Sequence, residues 1–208
     1  MKGVSEIISA VLVVLISIAL FSAAYTWGLP LIEKTQAQSI LNRVRDGFDP
    51  DKSGSLQNVI YSINSNGGEQ TFTAPTDGLW QLFPYDYPGP ENNSIQFSFF
   101  SKATDVAAGV GWVPLKPKGS CVPTSGIVGE DISSIVCERA DRVGDGFNIT
   151  YRIWYRRLNG TVSDQIIHLE KVGLTSSTSK TIRISRGDIK EVDGPKPLTV
   201  TEIKILLA

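Results

Sequence analysis

The sequence contains little of the chemistry on which most enzymes depend. It has one histidine, His168, among 208 residues, so a nucleophile activated by an imidazole base would have to use that side chain. His168 lies within an apolar, strand-like run, where such a residue is more often structural. The sequence shows no phosphate-binding loop, dinucleotide glycine pattern or metal cluster. We therefore expect no enzyme, no metal site and no cofactor.

The sequence also lacks an excess of either charge, with 20 basic and 21 acidic residues. This balance argues against a nucleic-acid groove or attraction to an anionic membrane surface, so we expect no nucleic-acid partner. A local exception is Trp154, which is interleaved with Arg152, Arg156 and Arg157. We predict a solvated strand face on which arginine stacks on Trp154, and binding of anions or nucleic acid is the alternative.

Cysteine is scarce, because only Cys121 and Cys137 occur. Two cysteines allow a single pairing, and a disulfide persists in an exported domain. Closing this loop would stabilise the fold by about 3 kcal/mol in the chain-entropy account. Two buried thiols are the alternative, and a metal site is disfavoured because His168 is distant in the sequence.

The chain does contain a long apolar run near its first residue. Residues 7–27 carry no charge, and a helix of this length, at about 1.5 Å per residue, reaches roughly 30 Å, the hydrocarbon thickness of a bilayer. A signal peptide would end at a small-residue cleavage site, but Ala23 and Ala24 are followed by Tyr25 and Trp27, which suit a membrane interface. An ordinary uncleaved signal anchor explains the same run.

The residues before this run form a specific pattern. Lys2-Gly3, then Val4-Ser5-Glu6, then an unbroken apolar helix resemble the class III signal of archaeal type IV pilins and archaellins, over about a fifth of the chain. The resemblance implies that a prepilin peptidase cuts between Gly3 and Val4 and leaves residues 1–3 as a leader. It also implies that residues 4–45 form a helix that lies first in the membrane and then in a filament core.

The same resemblance implies partners and a location. The subunit would polymerise with copies of itself, assembled by a pilus ATPase and its platform, and would move from the membrane into a cell-surface filament. Adhesion or cell-to-cell contact is the implied role. Glu6 would be the third residue of the cut chain and would meet the freed amine of Val4 on a neighbouring copy, because an unpaired carboxylate in an apolar core is costly.

Small residues within the apolar run bear on this assembly. Ala19 and Ala23 lie four positions apart, as do Ser5 and Ser9, and this spacing lets neighbouring helices approach closely. Small residues are also common in membrane helices in general. With that alternative kept open, we predict that Glu6, Ser9, Ala19 and Ala23 are assembly residues.

The far end of the apolar run is interrupted by Gly28 and Pro30. Proline removes a backbone donor and clashes with the preceding turn, so we predict a bend or local melting there. Residues 31–45 are then amphipathic, with one apolar face that can pack on a following domain. That face contains Ile32, Ile40, Leu41 and Val44.

We place the domain boundary at Asp46-Gly47 and predict that residues 46–208 form one β-rich, sandwich-like head of about seven to nine strands. Together with the helix, this is an α+β fold of pilin-like architecture. Residues 49–56 resemble a calcium loop, but Ile60 stands where the last carboxylate is needed. We therefore predict a turn into a strand that contains Val59, Tyr61 and Ile63.

Alternating apolar and polar residues predict the other strands of the head. Residues 147–157 and 162–171 predict a hairpin that turns around Asn159-Gly160. Residues 198–207 predict a strand that closes a sheet or docks on a neighbour. The remaining predicted strands are residues 71–73, 79–83, 94–101, 111–115 and 180–185.

Three N-glycosylation sequons begin at Asn92, Asn148 and Asn159. The pattern is short and arises often by chance, but all three lie on the exported side in this interpretation. Tyr85 and Tyr87 belong to a proline-rich loop and can bind a surface, a glycan or another subunit, with packing beneath the loop as the alternative.

The sequence therefore favours a structural subunit of an archaeal surface filament. The alternative is a membrane-anchored exported domain that binds a solute or polysaccharide and does not polymerise. These two hypotheses differ in whether the chain is cut after Gly3 and whether it occurs in purified surface filaments.

Overall fold

A long helix leads into a β-rich domain. The computed structural model describes the backbone of residues 2–116 and 120–207, with side chains from residue 7 onward in those ranges. These residues form two α-helices and twelve β-strands, with α1 at Lys2–Phe48 and α2 at Leu56–Asn66. The predicted α+β class, an apolar N-terminal helix followed by two sheets, is confirmed. We refer to α2 and the two sheets together as the head.

Helix α1 is continuous, whereas the sequence predicted a bend or local melting near Gly28 and Pro30. The helix runs through both residues and ends at Phe48, so the prediction of melting was wrong. A proline removes one backbone hydrogen bond, and the apolar turns on both sides remain helical. The predicted end at residue 45 also falls three residues short of the observed one.

Residues 56–66 form a helix, so the strand predicted there was wrong. Ser55 caps the helix by accepting a hydrogen bond from the backbone N–H of Asn58, and Gly67 ends it with φ of 75°. Glycine adopts this left-handed conformation without steric cost. The apolar residues of this stretch fit both a strand-like period of two and a helical spacing. The head buries the residues that follow the helical spacing. Its members are Leu56, Ile60 and Ile63.

The strands form two six-stranded sheets. In chain order the strands are β1 (Glu69–Thr73), β2 (Leu79–Phe83), β3 (Ser94–Ser101), β4 (Val113–Pro114), β5 (Gly126–Ile127), β6 (Ser134–Val143), β7 (Gly146–Tyr155), β8 (Leu158–Asn159), β9 (Asp164–Gly173), β10 (Ser176–Ser177), β11 (Thr181–Val192) and β12 (Leu198–Leu207). The first sheet has the order β1-β11-β12-β9-β8-β5 and the second the order β10-β2-β3-β7-β6-β4. Four strands (β4, β5, β8 and β10) have two residues each, which explains why the total exceeds the seven to nine expected.

The predicted hairpin of residues 147–157 with 162–171 was wrong in its pairing. Strands β7 and β9 exist, but they lie in different sheets. Strand β7 pairs antiparallel with β6, from which it is separated by a turn at Gly144 and Asp145, and with β3 on its other side. The sequence did not predict β6, because the charged residues 138, 139, 141 and 142 obscure its alternation.

The last described strand, β12, lies inside a sheet and does not close one. It pairs antiparallel with β11 on one side and parallel with β9 on the other. Three of its side chains, Ile203, Ile205 and Leu207, belong to the core of the head. A strand with partners on both sides has no free edge, so β12 cannot pair edge to edge with a strand of a neighbouring chain.

The end of α1 is inserted into this core. Phe48 is fully buried, and its ring centroid lies 5.1 Å from that of Tyr151, 6.1 Å from Trp80 and 6.4 Å from Phe97. Large aromatic side chains contribute most of the apolar area that such a core buries. The C-terminal end of α1 is therefore part of the head.

Candidate functional site on the first helix

The candidate site is the exposed apolar length of α1. Every residue in the range 7–27 is exposed, and we refer to this range as the uncovered segment. Phe21 exposes 79% of its surface and Trp27 84%. A helix that is apolar on all sides is normally covered by protein or lipid. By length and composition alone, one helix in the described part of the chain could cross a membrane.

Hydroxyl groups on α1 have partners within the helix itself. Ser17 donates to the carbonyl of Val13 at 2.8 Å, and Thr26 donates to that of Ser22 at 2.8 Å. Because these hydroxyls are satisfied locally, an apolar environment can surround them without the cost of an unpaired polar group. The uncovered segment is therefore chemically suited to hydrocarbon or to contact with other helices.

The predicted assembly residues lie along this segment. Ser9, Ala19 and Ala23 are exposed, so their small side chains are free of contacts with the head. The predicted cleavage residues Gly3 and Val4 and the predicted assembly residue Glu6 belong to α1. The side chains of Val4 and Glu6 lie outside the described part of the structure.

The other end of α1 is fixed to the head, and we refer to residues 41–48 as the covered segment. Leu41, Val44 and Phe48 are fully buried there. Within this segment Arg45 donates to Asp105 at 2.7 Å, and further up the helix Lys102 donates to Glu33 at 2.6 Å. Ion pairs with an exposed partner contribute little to stability, so apolar burial is the main contact between α1 and the head.

A buried carboxyl group lies close to the junction, the place where α1 packs into the head. Glu138 on β6 is 2% exposed and stands opposite Tyr151 on β7, with Asp105 and Arg45 nearby. Burial and, to a lesser extent, the Asp105 carboxylate together raise the pKa of Glu138 to about 8, against the opposing effect of Arg45. Among the described residues, the Oε1 atom of Glu138 has no hydrogen-bond partner. Sequence reasoning missed this group, because β6 was not predicted.

The candidate site is therefore defined by the structure of this chain alone. No family model, curated protein or solved structure matches the chain. The arrangement consists of a continuous helix that carries an uncovered apolar surface at one end and is packed into a folded head at the other. Such an arrangement can insert into a bilayer or pack against other copies of the same helix.

Cys121 and Cys137 form a disulfide with a Cα–Cα distance of 6.0 Å. Cys137 lies on β6, and the bridge ties the preceding loop to that strand. Trp112 and Trp154 pack in the same small cluster on the outer face of the second sheet. The disulfide therefore closes the loop over a strand face that would otherwise be open to water.

Arg152 is enclosed on that face. Its guanidinium lies 4.5 Å from the ring centroid of Trp112 and 4.9 Å from that of Trp154, and Gln96 accepts a hydrogen bond from its Nε at 2.8 Å. Stacking on Trp154 is confirmed, but the predicted solvated face was wrong, because Arg152 and Trp154 are buried. Burial lowers the pKa of Arg152 to about 10.

The two neighbouring arginines are also engaged. Arg156 donates to the Ile132 carbonyl and lies 3.2 Å from Asp131. Arg157 donates to Asp164 at 2.6 Å. With all three guanidinium groups in internal contacts, this strand face gives no support to the anion-binding alternative.

The sequon asparagines occupy different surroundings. Asn92 and Asn159 are exposed, and Asn148 is half-buried. The residue that sequence reasoning missed is Asn93, which is buried with φ of 54°. Its side chain donates to the carbonyls of Tyr155 and Ile167 and accepts from the N–H of Leu169 at 2.8 Å, so it links the two sheets.

The tyrosine loop packs in part against the first sheet. The ring of Tyr85 stacks on His168 at a centroid distance of 4.2 Å, and Tyr87 contacts Phe83 edge to face. Both tyrosines still expose part of their surface. Burial lowers the pKa of His168, which favours a neutral ring in this stack. The position of His168 fits the structural role predicted for it.

The loop that resembles a calcium site is bound by a lysine. Lys116 lies 2.9 Å from Asp49 and also contacts Asp51. A bound ammonium group competes with a cation for these carboxylates. Within residues 2–116 and 120–207, no group of three or more metal-binding side chains occurs.

Proposed function

We propose that this chain is the structural subunit of an archaeal type IV pilus-like surface filament. In this proposal the chain polymerises through the uncovered segment of α1, and the heads form the outer surface. In the same proposal, that outer surface serves in adhesion or cell-to-cell contact. Prepilin peptidase and the assembly ATPase with its platform are the partners that the proposal requires.

The observation that supports the proposal is the contrast along α1. Its C-terminal end is buried in the head, so the helix cannot fold back to hide the rest of its apolar surface. The uncovered segment must therefore be covered by something outside the chain, and lipid or identical helices are the available apolar partners. In a membrane precursor that becomes a filament subunit, lipid covers this segment first and identical helices cover it later.

The residues at the start of the helix supply the second support. Lys2 and Gly3 precede Val4 and Glu6, in the pattern that resembles the class III signal. Cutting after Gly3 would free an amine on Val4. That amine can pair with Glu6 of a neighbouring copy, and the pairing would offset the cost of placing a carboxylate among apolar helices.

The direct test is the composition of surface fibres. Fibres sheared from native cells are expected to contain this chain with Val4 as its first residue, as measured by mass spectrometry of the N-terminal peptide and electron microscopy. A chain that keeps residues 1–3, stays in the membrane and is absent from the fibres would show the proposal to be wrong.

A matched pair of substitutions tests the packing face. Ala23→Leu adds bulk at a predicted contact, and Ala24→Leu makes the same change one position away, about 100° around the helix. We expect Ala23→Leu to reduce the yield of fibres at least about tenfold while the precursor still inserts in the membrane. Equal yields from the two variants would exclude the small-residue face.

The alternative function is a membrane-anchored exported domain that binds a solute or polysaccharide and remains single. The uncovered segment has the length and composition for such an anchor, and the head contains a cavity that could hold a ligand. In this case the chain would stay in membranes with its first three residues intact. The analysis of sheared fibres therefore separates the two functions.

A further inference from the structure

The three sequons differ in how far the folded chain exposes them. A sequon consists of an asparagine that accepts the glycan and a serine or threonine two positions later, and it is expected on a surface loop. Asn148 and Thr150 instead lie within β7, which pairs with β3 on one side and β6 on the other. Thr150 is only 3% exposed, and its hydroxyl lies 2.9 Å from that of Ser98. The sheet therefore encloses the hydroxyl of this sequon.

The sequon at Asn92 is exposed only in part. Asn92 itself is open to water, whereas Ser94 is fully buried at the start of β3. The Ser94 hydroxyl donates to the carbonyl of Glu91. An enzyme that must reach both the amide and the hydroxyl finds the hydroxyl covered.

The sequon at Asn159 is accessible at both residues. Asn159 and Thr161 are exposed, and residues 160–163 form the loop between β8 and β9. Gly160 makes this tight loop possible, because a Cβ atom there would lie 2.2 Å from the carbonyl oxygen of Ser163. Of the three sequons, this one has the surface-loop setting that a glycan acceptor needs.

Exposed apolar side chains lie beside Asn159. Ile127 pairs in register with Asn159, so the two side chains project from the same face of the sheet. Ile127 is 50% exposed, and Val162, three residues along the loop, is 82% exposed. Three residues span at most roughly 10 Å, so both side chains lie within reach of the first sugars of a glycan on Asn159. Covering them with the C–H groups of a sugar is favourable, because apolar surface then leaves water.

We infer that Asn159 carries an N-linked glycan whose first sugars cover Ile127 and Val162. The donor is a lipid-phosphate-linked glycan, and a membrane transferase is the catalyst. The Nδ2 atom of Asn159 forms a bond to the anomeric carbon of the sugar as the bond from that carbon to the phosphate oxygen breaks. The lipid phosphate leaves, and one amide proton passes to a base of the transferase.

This inference rests on the exported location of the head in the proposed function. The alternative function also places the head outside the membrane. The glycan therefore does not depend on polymerisation of the chain.

Tryptic digestion of the chain purified from native cells tests the position of the glycan. Cleavage after Arg157 and Lys171 releases residues 158–171, which contain the sequon at Asn159 and neither of the others. We expect mass spectrometry to find the glycan on this peptide and to find the peptides with Asn92 and Asn148 unmodified. An unmodified 158–171 peptide, or a glycan on either of the other two peptides, would overturn the inference.

Thr161 supplies a matched pair of variants. Thr161→Ala removes the hydroxyl of the sequon, and we expect it to abolish the modification, whereas Thr161→Ser keeps a hydroxyl and should keep the glycan. Thr161 is exposed, so neither change alters the core of the head. A glycan that persists in Thr161→Ala, or that is lost from both variants, would contradict modification through this sequon.

A comparison in two backgrounds tests whether the glycan covers the apolar side chains. We expect Thr161→Ala to lower the melting temperature of the head by about 2–4 °C, because Ile127 and Val162 return to water. In a chain that also carries Ile127→Ser and Val162→Ser, the same change should have almost no effect. An equal shift in both backgrounds, or no shift in either, would show that the sugars do not cover these side chains.

The N-terminal peptide of the same sample separates this inference from the filament proposal. A chain in fibres that begins at Val4 and has an unmodified 158–171 peptide would refute the glycan alone. A chain that carries the glycan on Asn159, keeps residues 1–3 and is absent from fibres would refute the filament alone.

Discussion

The two ends of α1 contain similar residues in opposite surroundings. Phe21 belongs to the uncovered segment and is 79% exposed, whereas Phe48 belongs to the covered segment and is fully buried. Both residues lie in one continuous helix. The difference shows that the head covers only as much of the helix as its core can reach. The remaining apolar surface must be covered by lipid or by another chain, which is why it is the candidate site.

The largest expected effect comes from removing the covered phenylalanine. Phe48→Ala creates a cavity among Phe72, Trp80, Phe97 and Tyr151, and we expect it to lower the free energy of unfolding of the head by about 3–5 kcal/mol. Phe21→Ala is the matched change in the uncovered segment, and we expect it to leave the stability of the head unchanged. Urea unfolding followed by tryptophan fluorescence in detergent measures both. Similar losses for the two variants would mean that the uncovered segment also packs on the head.

A second pair extends the comparison to neighbouring asparagines. Asn93→Ala removes three hydrogen bonds between the sheets, and we expect it to cost about 2–3 kcal/mol because it leaves buried backbone groups unpaired. Asn92 is exposed, and Asn92→Ala should change stability by less than about 0.5 kcal/mol. The same urea experiment applies. A small effect of Asn93→Ala would show that water or a neighbouring group can replace its side chain between β7 and β9.

A third test concerns the buried carboxyl group behind the junction. The pKa of Glu138 rises from 4.5 to about 8 on folding, so the folded state holds a proton that the unfolded state releases between these values. Stability from this group is fully present below pH 4.5 and is lost as pH rises toward 8. We expect a decrease of roughly 2–4 kcal/mol over that range, the upper value being nearly the full shift at about 1.4 kcal/mol per pKa unit.

Glu138→Gln should remove this pH dependence, because the amide resembles the protonated acid and does not titrate. Urea midpoints measured at several pH values test the prediction, and Glu130→Gln, at an exposed position, is the control. A variant that keeps the slope of the unchanged chain would assign the dependence to another group.

The smallest expected effect comes from the exposed ion pair beside the junction. Lys102→Ala breaks the contact with Glu33, and we expect little change in the urea midpoint, because water screens the pair. High salt should have a similarly small effect on the unchanged chain. A large loss of stability would mean that the ion pair, and not apolar burial, fixes α1 to the head.

The sequence predicted well where the pattern is local. The apolar run predicts a helix, and the strands at residues 79–83, 94–101 and 198–207 were predicted with the observed bounds. Residues 56–66 were ambiguous, because their apolar residues fit both a period of two and a helical period. Which face becomes buried depends on the sheets that pack against it, so the local pattern could not decide.

The candidate site was also predictable only where its pattern is local in the sequence. Residues 7–27 were identified from composition. Ile40, Leu41 and Val44 were expected to face the head and do so, but the prediction was wrong for Ile32, which is exposed because the head does not extend that far along α1. Glu138 and Asn93 were missed because their roles depend on β6 and on contacts across more than sixty residues of chain. The cavity between α2 and the first sheet was missed for the same reason, because α2 itself was not predicted.

The sequence by itself determined which surfaces must leave water. The apolar helix and the alternating strands must bury their apolar side chains, because the hydrophobic effect depends on the residues themselves. Tertiary structure decided what covers each of those surfaces. The head covers Phe48 and leaves Phe21 exposed because core contacts come from strands distant in the chain, and only the folded arrangement sets how far along the helix they extend.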